Sequence, residues 1–467
     1  MNKVDFSKFT PSHAQELESL VQEYAWQRVL DFAEDVKRER LKPKENRNFI
    51  GTVIDQLLSF NEKRVKRMIC EGVSDENVLL DEISRWPSGL NGKNSLISFL
   101  GINLTSDCNF KPRCRYCNQP CIEPSISLNA WKQVIEESTA DSKDKGPYLY
   151  FTGGEPLLLG EKLIELIHYA TERGAKVNVN TNATMITPWI ALEMIKAGLS
   201  MLHISLDTAD RKTQNFLFGG NRFDAVLRGI YNVQIAREIV GVDYPNIHIN
   251  CVLTARNVDQ FSALLAFLVE KKRRFRDRKD PLFGDLLIHI IPVGGYQNDW
   301  LRPLEQDFKR FYSEIWGRTV ELWDHYQTNM GVEEPIPLFG YFSNPFLRVE
   351  HRGGLEAYAK TSAEGVYASL AHTRHCYVAP TQATFTPDGT QYRCGAHAIG
   401  RVCPIGNGSD GVYNNIGANI LSSEAFPNEN CHNCALATLY INQSAEDQLR
   451  ARIVEMKDPS EDCDRTI

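Results

Sequence analysis

The sequence lacks any run of about eighteen apolar residues, so no membrane-spanning helix is expected. Its opening stretch, MNKVDFSKFTPSHAQELESL, lacks the apolar segment of a secretory signal, and a cytoplasmic protein is expected. There is no internal repeat and no long low-complexity tract. Excess positive charge is also missing: a formal net charge of −7 argues against a general nucleic-acid binder. What the chain holds in surplus is cysteine, with twelve in 467 residues. Ten of them fall in two patches, 108–121 and 376–463. A disulfide scaffold is not expected in a large chain with no signal segment. Clustered cysteines there point to metal or redox chemistry.

The length suits a large barrel with flanking modules. Residues 1–92 read as a helical extension, with Leu17, Leu20, Val21, Tyr24 and Ala25, then Ile54, Leu57 and Leu58, at helical spacing. Between 93 and 300, short runs rich in β-branched residues alternate with amphipathic helices. The predicted strands are Ile97–Leu104, Tyr148–Thr152, Ala175–Asn180, Met201–Asp207, Ile247–Thr254 and Leu286–Val293. Thr187–Pro188 opens one intervening helix and Gly198 closes it. Six such repeats predict an α/β fold, a partial (β/α)6 TIM-like barrel with its site at the C-terminal strand ends. Residues 301–370 read as a helical connector, with an amphipathic stretch over Glu305–Tyr326. Residues 371–467 read as a turn-rich cysteine module that buries little core, so that a metal is its staple.

The first chemical constellation is Cys108-Asn-Phe-Lys-Pro-Arg-Cys114-Arg-Tyr-Cys117, directly after the first predicted strand. Three thiolates on one loop can hold three irons of a [4Fe–4S] cube and leave the fourth iron open. A closed zinc site with Cys121 as fourth ligand, and an electron-transfer cluster, remain alternatives at this point. One βα unit later, the second predicted strand ends in Gly153-Gly154-Glu155-Pro156. Two glycines let the backbone approach a ligand, Glu155 supplies an acceptor, and Pro156 can open a helix.

The triple-cysteine loop followed by this GGEP strand end resembles the radical S-adenosylmethionine superfamily over residues 95–300. Here the loop is Cys-x5-Cys-x2-Cys, two residues longer than that family's usual CxxxCxxC. The resemblance implies that Cys108, Cys114 and Cys117 ligate the cluster. It implies that S-adenosylmethionine chelates the open iron through its amino and carboxylate groups. Gly153, Gly154, Glu155 and Pro156 would then meet its amino group, and the backbone of Tyr116 its adenine. Asn180, Thr181, Ser205 and Asp207 at later strand ends are carried over as ribose and carboxylate contacts, and Val293 as an apolar edge for adenine; Arg228 reads either as a partner of the cofactor carboxylate or as a solvated helix arginine.

In the C-terminal patch Cys376, Cys394 and the pair Cys431-His-Asn-Cys434 give four thiolates from a hairpin and a tight turn. They can fully ligate one further cluster, with a zinc ribbon as the alternative. The pattern resembles a Twitch module, the shortened SPASM domain. The second half of a full SPASM pattern is missing, because residues 435–444 contain no cysteine. One auxiliary [4Fe–4S] cluster is therefore expected beside the first. Cys403 and Cys463 stay unassigned.

The resemblance implies reductive cleavage of S-adenosylmethionine and hydrogen abstraction. The substrate would be a ribosomally made peptide or a small amino-sugar or alcohol, and the electron donor a flavodoxin or ferredoxin. Two further features carry less. The basic run Lys271–Lys279 reads as a solvated helix end, and Trp189, Trp300 and Trp316 read as core.

Overall fold

The computed structural model describes residues 26–43, 49–85, 97–139, 146–273, 287–292, 300–329, 354–364, 374–407, 431 and 436–457. Three helices come first: α1 (Trp26–Glu39), α2 (Phe49–Cys70) and α3 (Glu76–Ile83). The alternating region follows as β1 (Phe99–Thr105), α4 (Leu128–Thr139), β2 (Tyr148–Gly153), α5 (Glu161–Glu172), β3 (Lys176–Thr181) and α6 (Pro188–Lys196). It continues as β4 (Met201–Ser205), α7 (Arg211–Leu217), α8 (Phe223–Val240), β5 (Asn246–Leu253), α9 (Phe261–Arg273) and β6 (Leu287–Pro292). Then come α10 (Glu305–Arg310), a π-turn over Phe311–Ile315, α11 (Trp316–Asn329) and α12 (Gly354–Glu364). The last elements are β7 (Gln382–Phe385), β8 (Thr390–Tyr392), α13 (Gly395–Gly400), β9 (Gly406–Asn407) and α14 (Leu436–Met456).

One sheet of nine strands has the order β6-β5-β4-β3-β2-β1-β7-β8-β9. The first six strands are parallel, as the strand–helix alternation predicts, and form the partial barrel. β7 adds parallel to β1, Phe99 opposite Gln382, and turns back through an antiparallel hairpin into β8. The predicted turn Thr386–Gly389 makes that hairpin: Asp388 accepts from the Thr386 hydroxyl at 2.6 Å, and Gly389 takes a φ of +81°. The cysteine-rich C-terminal region thus continues the barrel's own sheet.

Sequence signals at the helix ends act as read. The Thr187 hydroxyl accepts from Ile190 N at 3.2 Å, Pro188 starts α6, and Gly198 adopts a φ of +75°. α1 packs on α6 and α8, with Phe32 and Trp189 ring centroids 5.4 Å apart. Val29, Ala33 and Val36 of α1 join the barrel core. So do Phe308, Phe311, Trp316 and Trp323, which makes the 301–329 helices part of the barrel wall.

A second core corrects the expectation that residues 371–467 bury little. Leu57, Leu79, Leu80 and Ile83 of α2 and α3 pack on Tyr377, Val378, Ile441, Leu449 and Ile453. The missing partner was α14, which the sequence reading did not place. The N-terminal helices are thereby split, α1 to the barrel and α2–α3 to the C-terminal module. Asp81 fixes this contact, bound by both Arg374 Nε and Nη2 at 2.8 Å and by His375 Nε2 at 2.9 Å. Trp300 and Trp189 correct another expectation: they are 54% and 36% exposed rather than core, with Trp300 edge-on to Phe216. Of the basic run, Lys271, Lys272 and Arg273 end α9 and the remainder lies outside the described residues. No helix among the described residues is long and apolar enough to cross a membrane.

Candidate functional site

The cysteine loop leaves the end of β1 and is clamped by arginines on backbone carbonyls. Arg113 donates to Ser106 O at 2.7 Å and Gln119 O at 3.2 Å. Arg115 donates to Phe216 O at 2.9 Å, while its own N–H reaches Leu217 O at 2.8 Å. Arg222 donates to Phe218 O at 3.0 Å and Pro112 O at 3.2 Å, with its guanidinium 3.8 Å from the Phe110 ring centroid. Phe110 in turn packs on Phe218, 5.3 Å between centroids. These contacts anchor the two extra residues of the loop to the turn after α7. Sequence reading missed all three arginines, because each acts on carbonyls that no local pattern marks.

Cys108, Cys114 and Cys117 are half-buried on this loop, while Cys121 is exposed. Burial pushes the Cys114 thiol far above its usual range, and Asp207, Cys117 and Cys108 push it the same way. Burial also raises Cys108, against the pull of the Phe110 N–H, which meets its sulfur at 3.4 Å. Three part-buried cysteines on one loop, whose thiolates would repel one another, suit a donor set that shares one metal cluster. Among the described residues no three Cys, His, Asp or Glu side chains converge tightly enough for one metal ion. A four-iron cube needs a wider spacing of thiolates.

The glycines at the end of β2 hold this loop in place. Gly154 N donates to Thr105 O at 2.6 Å and Glu155 N to Asp107 O at 2.7 Å. Gly153 takes a φ of +135°, and a Cβ there would stand 2.2 Å from Thr105 O. Glu155 is wholly buried, and its carboxylate faces away from any open space. It accepts from Thr181 Oγ1 at 2.7 Å, Asn182 N at 2.8 Å and Leu157 N at 3.1 Å, capping the turn that buried Pro156 opens. Burial raises its pKa and these three donors oppose that rise. Asn182 then passes the contact back to the cysteine loop, donating to Asn109 Oδ1 at 2.7 Å.

Tyr116 and Asp207 meet directly. The Tyr116 hydroxyl donates to Asp207 Oδ2 at 2.8 Å, and Val252 N donates to Asp207 Oδ1 at 2.8 Å. Gln214, another residue missed from sequence, accepts from Asp207 N at 2.8 Å and lies 3.4 Å from its carboxylate. Burial lifts the Asp207 pKa to about 7 against those three hydrogen bonds. Asp207 therefore orients Tyr116 rather than facing the opening. Ser205 and Asn180 are half-buried on the inner face of the sheet, whereas Thr181 is buried against Glu155. Arg228 is half-buried on α8, next to Gly229, whose Cα abuts Ala183 O at the exit of β3. Val293 lies outside the described residues.

The inner face of the barrel is polar. In β2, Leu149 and Phe151 are fully buried toward the helices while Tyr148, Tyr150 and Thr152 are half-buried. A parallel strand covered on both faces would read as uniformly apolar. The alternation therefore marks a chamber. Tyr150 and His203 have ring centroids 5.2 Å apart although β3 separates their strands, which requires strong curvature. His248 continues the stack at 5.2 Å from His203. Above them Asn250 donates to Asn180 at 2.9 Å, and Asn180 to Thr152 at 3.3 Å. Below, Lys176 stands 5.1 Å over the Tyr148 ring, and burial lowers its pKa to about 8. β1 to β7 contain no Asp or Glu.

A second thiol cluster lies at the far side of β7. Cys376, Cys394 and Cys431 come within each other's electrostatic reach. Cys394 is the N-cap of α13, where the nearby N–H groups of His397 and Ala396 oppose the rise that burial imposes on its thiol. The His397 Nε2 stands 4.0 Å from Cys431 Sγ. N–H groups aimed at sulfur suit thiolates, so these residues fit a metal-bound set. Cys434 lies outside the described residues.

Residues 102–249 match the Radical SAM superfamily. The chain is 30% identical to the Fe-coproporphyrin III synthase of Methanosarcina barkeri over 174 residues, 36% of this chain and 40% of that protein. It is 25% identical to the AdoMet-dependent heme synthase of the same organism, covering 65% of this chain and 75% of that one. It is 29% identical to the mycofactocin maturase MftC of Mycolicibacterium smegmatis, covering 40% and 49%. The match thus spans less than half of the first and third of these relatives. Among solved structures, SuiB of Streptococcus suis bound to S-adenosylmethionine is 18% identical, with coverage of 82% and 83% and a TM-score of 0.47.

Proposed function

We propose that this chain, which carries a radical SAM domain over residues 102–249, cleaves S-adenosylmethionine reductively and abstracts a hydrogen atom from a substrate held in the barrel. Members of this superfamily use S-adenosylmethionine with a [4Fe–4S] cluster. When bound, the pair supplies the electron and the 5′-deoxyadenosyl radical that takes a hydrogen from an unactivated carbon.

The observation that carries the reading is the clamped loop of Cys108, Cys114 and Cys117, half-buried just after the end of β1 in a barrel whose inner face is polar. These thiolates would hold three irons. Gly153 and Gly154 keep the loop seated on β2, and Asp207 orients Tyr116 beside it. Ser205 and Asn180 line the way inward and would meet cofactor or substrate. The barrel walls exclude bulk water, which protects a reactive intermediate. Cys376, Cys394, Cys431 and Cys434 would hold one auxiliary [4Fe–4S] cluster, able to accept an electron from an oxidised substrate.

For the substrate, the first reading is a ribosomally made peptide, supported by the likeness to a maturase, MftC. The second is a small polar molecule. It is favoured by a chamber lined by asparagines, His203, His248 and Lys176, with no carboxylate on its strands. An electron donor such as flavodoxin or ferredoxin completes either scheme.

The test is anaerobic incubation of the reconstituted chain with dithionite and S-adenosylmethionine. 5′-Deoxyadenosine is expected, and Cys114→Ala should abolish it while leaving the circular dichroism spectrum unchanged. Cleavage retained in Cys114→Ala would remove the assignment of the loop.

A further inference from the structure

Cys376 precedes the short turn Ala379–Thr381 that leads into β7. Its sulfur accepts from Ala379 N at 3.4 Å and from Asn442 Nδ2 at 3.4 Å. Asn442 comes from α14, 66 residues further along the chain, and is buried at 4% exposure. The orientation of its amide follows from its neighbours. Tyr377 N and Val378 N point at Asn442 Oδ1 from 2.8 and 3.1 Å. Backbone N–H groups only donate, so the amide oxygen must face them and the NH2 must face sulfur. Tyr377 is held from the other side by its hydroxyl, 3.1 Å from Ser84 Oγ, and is itself in the second core. The donor is therefore delivered to Cys376 by a rigid frame.

A neutral thiol is a weak acceptor and gains little from such a frame. A cluster-bound thiolate gains more, and it gains most when the cluster is reduced and carries an extra negative charge. Hydrogen bonds to cluster sulfurs are among the factors that set reduction potential. We infer that Asn442 is a positioning residue that raises the reduction potential of an auxiliary cluster through its hydrogen bond to Cys376. The inference rests on the reading of Cys376, Cys394, Cys431 and Cys434 as ligands of that cluster. Its chemical sense is that of an electron acceptor: a higher potential favours taking an electron from a substrate-derived radical.

The experiment isolates this cluster by working in a Cys108→Ala/Cys114→Ala/Cys117→Ala background of the full chain. Iron, sulfide and an EPR-monitored redox titration are measured after anaerobic reconstitution. Asn442→Asp keeps an oxygen for Tyr377 N and Val378 N but removes the N–H donor. Asn442→Ala removes the donor without adding charge. Both should load iron, and both should shift the reduction equilibrium toward the oxidised form. The expected shift for Asn442→Ala is about tenfold, or 59 mV for a one-electron couple. Equal potentials in parent and Asn442→Ala overturn the role of Asn442, even if the aspartate shifts the potential by its charge. Failure of the triple-cysteine parent to bind iron and sulfide overturns the four-cysteine reading, and the inference falls with it.

Discussion

A methyl group on the Cα of Gly154 would stand 2.0 Å from the carbonyl oxygen of Asp107, the residue before Cys108. The glycine therefore serves protein packing first: it lets β2 end against the segment that launches the cysteine loop. Gly154→Ala cannot relieve this overlap by a rotamer change, because both contacting groups are backbone. The expected cost is about 1–3 kcal/mol, taken as displacement of Asp107 and Cys108. A displacement near 1 Å at a reacting centre lowers rates by roughly a hundredfold. 5′-Deoxyadenosine formation should fall by that order while the circular dichroism spectrum stays native. An unchanged rate would mean that the loop tolerates being moved.

The barrel was legible because its strands and helices carry opposite periodicities in short, well-punctuated segments. All six predicted strands appear with ends shifted by no more than two residues. The chamber was also written in the sequence, in Tyr148-Leu-Tyr150-Phe-Thr152 and Lys176-Val-Asn178-Val-Asn180, where polar and apolar residues alternate. The shortness and β-branching of the runs mask that alternation. The arginine clamps were not legible. Arg222 acts on Pro112 O, 110 positions away, and a bond to a carbonyl leaves no mark on the sequence of its acceptor. Nor was the contact of α14 with α2 and α3, which joins the two ends of the chain and has no local signature. Glu155 stands out by its place at a strand end, and Asp207 by the family resemblance. Their carboxylates turn out to hold Tyr116, Thr181 and Asn182.

Lys176 gives a pH dependence with a definite sign. It is 8% exposed, has no ion pair among the described residues, and burial lowers its pKa from 10.5 to about 8. Below pH 8 both folded and unfolded chains hold the proton, and the folded state bears the full cost of a buried cation. Between about pH 8 and 10.5 the unfolded chain binds more protons than the folded one, so this residue's contribution to stability improves as pH rises. Lys176→Met removes the penalty and should stabilise the chain at pH 7 by roughly 2–3 kcal/mol. Urea midpoints at pH 7 and pH 10 measure this. The advantage of the variant should shrink at the higher pH. An equal advantage at both would show that packing, not charge, sets the difference.

Leu57 tests whether the two cores act separately. It is fully buried on α2, within the cluster that holds Tyr377, Val378, Ile441 and Leu449, while the barrel strands belong to the other cluster. Cys376 packs against the Leu57 cluster, and Cys108 and Cys114 against the barrel's. Truncating a fully buried leucine to alanine costs about 2–5 kcal/mol. In Leu57→Ala that cost falls on the frame that presents Cys376 to metal. A chain with both clusters carries about eight irons, and the variant should approach half of that with its capacity to cleave S-adenosylmethionine preserved. The reason lies in the connectivity: β7 hydrogen-bonds to β1 through four register pairs, yet the apolar contacts that steady Cys376 come from α2, α3 and α14. Equal loss of iron at both sites, with loss of cleavage, would show instead that strand pairing across β1 and β7 makes the two cores unfold together.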